Sequence, residues 1–309
     1  MPGGRPWPKI TIVTPSYNQG RYIEETIRSV LVQGYPNLEY IIMDGGSDDN
    51  TVEIIGKYEK WLAHWESGPD AGQADALNKG FARATGEIFA YINSDDFYEP
   101  GAFARAASLL AGNATGLAAG ACMIFNESGT VSVFYPKWPK ELSHFLTPFG
   151  STFAQPAGFW TRKAHEAAGG FDPGLHYAFD REFFLKMGLC GIKPVFTDTI
   201  LARYRDHQET KTSNTVKFYE ESMPVLIKYA RECGLSDREV SRRLHGIKND
   251  IAYLETFSTW KRSGRAAAAL FFARHLLRSP DFPADRKVLG LLRRLLMFPA
   301  AKVEELKNV

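Results

Sequence analysis

The first part of the chain alternates short apolar runs with polar loops and amphipathic stretches, and this alternation restricts the fold more than any other feature. Lys9–Thr14 (KITIVT) reads as a strand stopped by Pro15, and Leu38–Met43 (LEYIIM) as a second strand. Between them Ile23, Ile27, Val30 and Leu31 share one helical face, which predicts a helix over about residues 21–33, ended by Gly34 and Pro36. Glu87–Ile92 (EIFAYI) is a third apolar run of strand length, followed by the Pro100-Gly101 turn and a helix from Ala102. Strand, loop, helix and strand in this order imply parallel pairing with right-handed crossovers. The loops 15–20, 44–50 and 93–96 then converge on one edge of one sheet, where open α/β sheets bind their ligands.

The third loop, Asn93-Ser94-Asp95-Asp96, sets two like charges side by side where a buried strand ends. Such a pair repels unless a cation or hydrogen-bond donors stabilise it. The working expectation is a hard divalent cation on Asp95 and Asp96 with a diphosphate on its other side; the alternative is a solvated turn. In the other loops Tyr17 offers an aromatic face to a base, or is a packing residue. Asp44 offers an acceptor to a base or ribose, or caps a turn. Gly45-Gly46 is not a phosphate-binding fingerprint, which argues against dehydrogenases and P-loop enzymes.

A helix is expected over about 73–84 with Gln73 and Asp75 in its first turn, where an acid also complements the helix dipole. Leu117–Phe125 and Thr130–Tyr135 read as a hairpin around residues 126–129. Gln155-Pro-Ala-Gly158 leads into Phe159-Trp160, an aromatic wall for a sugar ring or ordinary core. On a helix from about residue 179, Phe179, Phe183, Phe184 and Met187 share a flank that includes Asp180. Glu182 falls on the other side, in the favourable order with Lys186. Glu182 is therefore expected to be a solvated partner of Lys186, although Leu185 does not fit the single face, which leaves open a helix covered on both sides. Asp180 is expected either to accept a proton within a closed site or to cap its helix.

Taken together, Thr14–Asn18 (TPSYN), Asp44–Asp49 (DGGSDD), Gly72–Gly80 (GQADALNKG), Ala84–Glu87 (ATGE) and Asn93–Asp96 begin one pattern. Gln155–Phe159, Gly169–Asp172 (GGFD) and the Asp180 helix complete it, and over about residues 8–210 it resembles a family-2 glycosyltransferase of the GT-A fold. The resemblance implies an α/β fold with a mixed, mostly parallel sheet flanked by helices. It implies that Pro15, Tyr17 and Asp44 hold a nucleotide base, with Asp75 nearby, that Asp95 faces the ribose, and that Asp96 binds Mg2+ or Mn2+ on the donor diphosphate. Asp180 is then the base that deprotonates an acceptor hydroxyl, with inversion at the anomeric carbon. The family often carries Glu-Asp there, and this chain has Phe179 in place of the Glu. Arg203–His207 (RYRDH) resembles the stretch after the last core strand. His207 is read as a further metal ligand or a surface histidine, and Arg205 as a phosphate partner or a solvated arginine. The donor implied is a nucleotide sugar, by family frequency a UDP-sugar, and the acceptor a glycan or lipid-linked hydroxyl of bacterial surface polysaccharide or glycolipid synthesis.

The totals bound the rest. The chain of 309 residues has a net charge of +2, but residues 259–309 carry +7, which marks the tail as a separate region. The catalytic domain is expected over 1–214 and a helical region over 215–309, with helices at 216–233, 237–262, 265–278 and 286–298. The last has Val288, Leu289, Leu291, Leu292, Leu295 and Leu296 on one side and Arg286, Lys287, Arg293 and Arg294 on the other. Such a basic amphipathic segment (265–298) either lies on an anionic membrane surface or covers the catalytic domain or a second subunit. Three widely spaced cysteines suit a reducing, cytoplasmic compartment, and no apolar run is long enough to span a bilayer. Nucleic-acid binding is not expected, because the positive charge is confined to helices with an apolar face. A nucleotidyltransferase would need a Gly- and Lys-rich triphosphate loop that Pro15–Gly20 lacks. A non-catalytic binding protein of the same fold is opposed by the retained acids at 44, 95, 96 and 180.

Overall fold

The computed structural model describes residues 6–278, apart from 149, 151, 208, 209, 212 and 213. The chain divides into two compact units, Met1–Phe145 with Phe149–Thr210, and Leu146–Pro148 with Lys211–Val309.

The first unit is a mixed sheet with helices on its faces. Its leading part runs β1 (Ile10–Ser16), α1 (Ile23–Leu31), β2 (Leu38–Asp44), α2 (Thr51–Lys57), β3 (His64–Ser67), α3 (Gln73–Arg83) and β4 (Ile88–Tyr91). There follow β5 (Phe97–Tyr98), α4 (Ala102–Leu110), β6 (Leu117–Asn126), β7 (Gly129–Phe134), β8 (Gly158–Thr161), α5 (Arg162–Ala168), α6 (Phe179–Leu189) and β9 (Pro194–Arg205). The strand order is β3-β2-β1-β4-β8-β6-β9-β5, with β7 paired to β6. The pairs β1–β2, β1–β4, β2–β3 and β6–β9 are parallel. Those of β8 with β4 and β6, of β5 with β9 and of β7 with β6 are antiparallel. The neighbouring parallel strands β2, β1 and β4 bring the three polar loops to one edge.

Pro15 does not stop β1, contrary to expectation. Pairing with β2 continues through Pro15↔Met43 to Ser16↔Asp44, whereas pairing with β4 ends at Val13↔Tyr91. Val13 O accepts from Ile92 N, so Pro15, of the same parity, points its nitrogen to the side that β4 has already left. No ladder bond is lost there.

Both sheet faces are covered, which is why these strands read as nearly continuous apolar runs. One face carries Ile10, Ile12, Tyr40, Ile42, Ile88, Ala90 and Ile92, with Ile27 of α1 and Phe103 of α4. On β4 the alternate residues Phe89 and Tyr91 join an aromatic cluster with Phe81 of α3, Trp160, His165, Phe171, Phe179 and Phe183. Phe159 and Trp160, offered above as a sugar wall, are fully buried in β8. Their rings face other core aromatics and cannot stack on a ligand.

In the second unit α7 (Thr215–Tyr229) packs against α8 (Asp237–Arg278). The expected helices 237–262 and 265–278 are joined at Gly264, whose φ of 81° breaks the helical path. The expected helix 286–298, and all of 279–309, lie outside the described residues. Among the described residues no helix is long and apolar enough to cross a membrane.

Two expectations follow from this packing. An ideal Cβ on Gly80 of α3 would lie 2.5 Å from Val13 Cγ1 on β1. The helix-propensity gain of Gly→Ala is about 1 kcal/mol, against about 1–3 kcal/mol for overpacking. Gly80→Ala is therefore expected to lower the urea midpoint; a raised midpoint would show that the helix sits farther from the sheet. The second concerns His165, which burial, with Lys186 and Arg162 adding, pushes down from 6.5 to about 4. Between those values the unfolded chain binds the proton and the folded chain does not, so stability falls as pH drops through the window. Wild type is expected to lose about 2 kcal/mol between pH 7 and 4.5 that His165→Phe retains, by denaturant titration at each pH; parallel curves would exclude His165 as the cause.

Candidate active site

The first two loops are zipped together by their own polar groups. Gly45 N–H donates to Ser16 O at 2.8 Å, Asn18 N–H to Ser47 Oγ at 2.8 Å, Asp48 N–H to Asn18 Oδ1 at 3.0 Å and Gly20 N–H to Asp49 Oδ2 at 2.9 Å. Asn18 takes φ 53° to make this exchange, a conformation asparagine tolerates. Asp44 is buried beneath. Its Oδ2 accepts from Gly46 N, Ser47 N and Ser67 Oγ, and its Oδ1 from Ser47 Oγ. These bonds make Asp44 the organiser of the floor. Pro15 is buried in β1, whereas Tyr17 is 61% exposed above the zipped loops.

The third loop is tied at both ends. Gln73 Nε2, at the start of α3, donates to Asn93 Oδ1 at 2.6 Å, and Asn93 Nδ2 lies 3.3 Å from Asp96 Oδ2. Asp96 Oδ1 accepts the Arg205 main-chain N–H at 2.9 Å, and Asp96 O accepts from Thr26 Oγ1 at 2.7 Å. Asp96 is 0% exposed. Burial, then the neighbouring charge of Asp95, pushes its carboxyl well above the usual carboxylate range, while Arg205 and Asn93 oppose the rise. Asp96, read from the sequence as a cation ligand, holds its two carboxyl oxygens against the Arg205 N–H and Asn93 Nδ2.

Asp95 is the open member of the pair. Its Oδ2 stands 3.1 Å from His207 Nε2, with 19% of its side chain exposed and 12% of that of His207. The two are brought together by β5–β9 pairing, Phe97↔Arg203, which folds the end of β9 over the acid loop. His207 lies against Tyr22, ring centroids 4.8 Å apart, and its Nδ1 is buried with no hydrogen-bond partner among the described residues.

Among the described residues no cluster of three or more His, Cys, Asp or Glu is arranged to hold a metal ion. The Asp95–His207 donors still fit one. Neighbouring ligands of an octahedral ion bound at about 2.1 Å are about 3.0 Å apart, and such ions usually take few protein ligands and complete their shell with phosphate and water.

Arg205, expected as a phosphate partner, is committed elsewhere. Its guanidinium lies over Phe125 and Tyr22 at 4.6 and 5.0 Å. Its Nε donates to Asp95 O at 3.0 Å, and it pairs with Glu25. Asp75, expected near the donor, accepts Ala71 N–H at 3.0 Å and pairs with Lys79 at 2.9 Å, as a helix-start cap. Gln155 is buried and donates to Tyr91 O at 2.8 Å.

Asp180 lies in the first turn of α6. Phe179 beside it packs on Tyr91, centroids 6.3 Å apart, and Tyr91 ends β4 just before the acid loop. The Tyr91 phenol is pushed well above its ordinary value by burial, with the charges of Asp180 and Asp96 adding. Asp180 itself is half-buried, in the first turn of its helix. Glu182 is fully buried, not solvated as expected; it does pair with Lys186, at 3.0 Å. The reason is that α6 is covered on both sides: Phe183 lies on Trp160, and Phe184 on Phe153.

Sequence reasoning gave no role to Asp70, whose Oδ2 would lie 2.9 Å from a Cβ on Gly45, or to His176, whose Nδ1 would lie 2.9 Å from one on Gly72. These loops abut where no periodic pattern signals a contact; the only hint was their place in polar stretches beside the matched motifs.

Comparison with known proteins identifies the family and the fold. The model of the family described as glycosyl transferase family 2 matches residues 11–168. An uncharacterized glycosyltransferase of Mycobacterium tuberculosis is 30% identical over 199 residues, 64% of this chain and 75% of that relative. TuaG of Bacillus subtilis, named for teichuronic acid biosynthesis, is 42% identical over 94 residues, 29% of this chain and 36% of that protein. S. aureus TarS 1–349, solved with UDP-GlcNAc, is similar with TM-score 0.61 and 16% identity, covering 93% of this chain and 92% of that one. The mannosyltransferase PcManGT from Pyrobaculum calidifontis, solved with GDP-Man and Mn2+, gives TM-score 0.57 and 19% identity, covering 99% and 91%. At such identities these two structures establish the likeness of fold, of the GT-A type. The matched span runs from the first strand through the acid loop to α5, and it is on that span that the chain belongs to glycosyl transferase family 2.

Proposed function

We propose that this glycosyltransferase moves a sugar, with inversion, from a nucleoside diphosphate sugar to an acceptor hydroxyl. Asp95 and His207 hold Mg2+ or Mn2+ on the donor diphosphate, and Asp180 acts as the base. The observation that carries the reading is the open Asp95–His207 pair at the carboxyl edge of the sheet, with Asp180 next to Phe179, whose ring packs on Tyr91 at the end of the strand leading into the acid loop.

Each residue has a physical task in this reading. Tyr17 stacks on the base from above the zipped loops, and Asp44 holds the loop on which the base rests. Asp96 fixes the strand end rather than binding the cation, and Arg205 holds the main chain of Asp95 in place. When bound, the cation offsets the negative charge that develops on the leaving nucleoside diphosphate. Asp180 takes the proton from the attacking hydroxyl as the bond to the anomeric carbon forms, and the diphosphate departs from the opposite face. Holding both reactants at one edge supplies much of the remaining acceleration. UDP is favoured as the nucleotide, on the family's usual donor and on UDP-bound TarS. The acceptor is a hydroxyl of a surface glycan or its lipid-linked precursor, on the relation to TuaG. The reaction is placed in the cytoplasm, where cysteines stay reduced.

Two experiments test the reading. In thermal-shift titrations with UDP and Mn2+, wild type is expected to gain melting temperature, while Asp95→Asn and His207→Ala lose most of the Mn2+-dependent part. An unchanged shift in both variants would remove the cation from this pair. In hydrolytic UDP release from a UDP-sugar, Asp180→Asn is expected to keep the UDP–Mn2+ shift and to lose about 10²-fold or more in kcat. Near-full turnover in that variant would exclude Asp180 as the base.

A further inference from the structure

We infer that Asn78 of α3 and the Glu182–Lys186 pair of α6 are positioning residues that set the place of Asp180 relative to the acid loop. They act by clamping the Gly170-Phe171 segment from both sides. The inference rests on Asp180 being the base.

The segment begins with two successive left-handed glycines, Gly169 and Gly170, with φ of 75° and 72°. Gly169 caps α5, its N–H on His165 O and Glu166 O, and the two glycines turn the chain into Phe171, whose main-chain groups leave the helix and take side-chain partners. Asn78 supplies it from one side. Its Nδ2 donates to Phe171 O at 2.8 Å and its Oδ1 accepts Phe171 N–H at 3.0 Å, so one amide side chain satisfies both main-chain groups of one residue. The fit is close, because an ideal Cβ on Gly170 would stand 3.1 Å from Asn78 Oδ1.

Lys186 supplies support from the other side. Its Nζ donates to Gly170 O at 2.7 Å and pairs with Glu182 at 3.0 Å. Glu182 is fully buried, and an enclosed carboxylate holds its cation partner in place because separating them would leave a charge without compensation.

The two clamps connect the reacting groups. The helix that carries Asn78 begins at Gln73, which is bonded to Asn93 at 2.6 Å on the acid loop. The helix that carries Glu182 and Lys186 has Asp180 in its first turn. A rigid path therefore runs from Asn93 through α3, the Gly170-Phe171 segment and α6 to Asp180. A shift of about 1 Å in a reacting group can lower a rate roughly 100-fold, so weakening this path should act on turnover and spare donor binding.

The test uses the full chain and hydrolytic release of nucleoside diphosphate with Mn2+. The donor is the one turned over fastest among UDP-glucose, UDP-N-acetylglucosamine and GDP-mannose, with water in the acceptor position. Asn78→Ala is expected to lower kcat roughly 10- to 100-fold. The donor KM and the melting shift given by UDP with Mn2+ should stay within about twofold. Added to Asp180→Asn, Asn78→Ala should cost nothing further, because it acts through that carboxylate. Glu182→Leu with Lys186→Met removes the second clamp without stranding a charge and should behave alike, which keeps the test usable if Asn78→Ala does not fold. The inference is overturned if the loss in kcat is as large in the Asp180→Asn background as in wild type, or if only KM changes. If Asp180→Asn alone turns over like wild type, the base reading fails and takes this inference with it.

Discussion

A carboxylate enclosed at the end of a strand must find donors, and Asp96 finds one in the main-chain N–H of Arg205 at 2.9 Å, 109 residues further along the chain. An enclosed anion without such a partner costs several kcal/mol or shifts to its neutral form. This bond therefore holds the end of β9 against the acid loop more firmly than surface contacts would. Everything distinctive about the site follows from that closure. His207 lies two residues beyond Arg205 and is delivered to Asp95, and the Arg205 guanidinium, lying over Tyr22 and Phe125, pins the Asp95 carbonyl. Of two adjacent acids, one is enclosed as internal support and the other stays partly open.

The second constraint is the aromatic packing on the far face of β4. Phe89 and Tyr91 alternate out of the strand onto rings from α3, β8 and α6. This cluster fixes the helix bearing Asp180 to the strand that leads into the acid loop. The helix that bears Asp180 is thus held to β4 by aromatic packing, and the acid loop that follows β4 is held by hydrogen bonds. Rigid supports of this kind are what transfer chemistry needs, since positioning contributes so much of its rate.

Much of this was legible in the sequence, and what was not has physical causes. The parallel strands and their helices announce themselves through burial on both faces and through 3.6-residue spacing, which is why β1, β2, β4, α1 and α3 were visible. The strands β3 and β8 were not: each is four residues long, β3 carries Glu66 and Ser67, and β8 opens on Gly158. The partition of Asp95 and Asp96 into a partly open and an enclosed acid was hidden as well. It is decided by Arg205 and His207, which pairing periodicity does not connect to them. The wheel for α6 separated Glu182 from Asp180 but left Glu182 solvated, although Leu185 off the single face already pointed to a helix covered on both sides. Trp160 was left between two readings, of which the core one holds, since a large aromatic beside a glycine turn reads alike in a ligand wall and in a core.

The account depends on a divalent cation being held by Asp95 and His207, with Asp96 turned away. The most direct measurement is an anomalous difference map at the manganese edge from crystals grown with UDP and Mn2+. The account expects one peak within bonding distance of Asp95 Oδ2 and His207 Nε2, continuous with the diphosphate. A peak bonded to Asp96 without His207, or no peak at this edge of the sheet while UDP is bound, would contradict it.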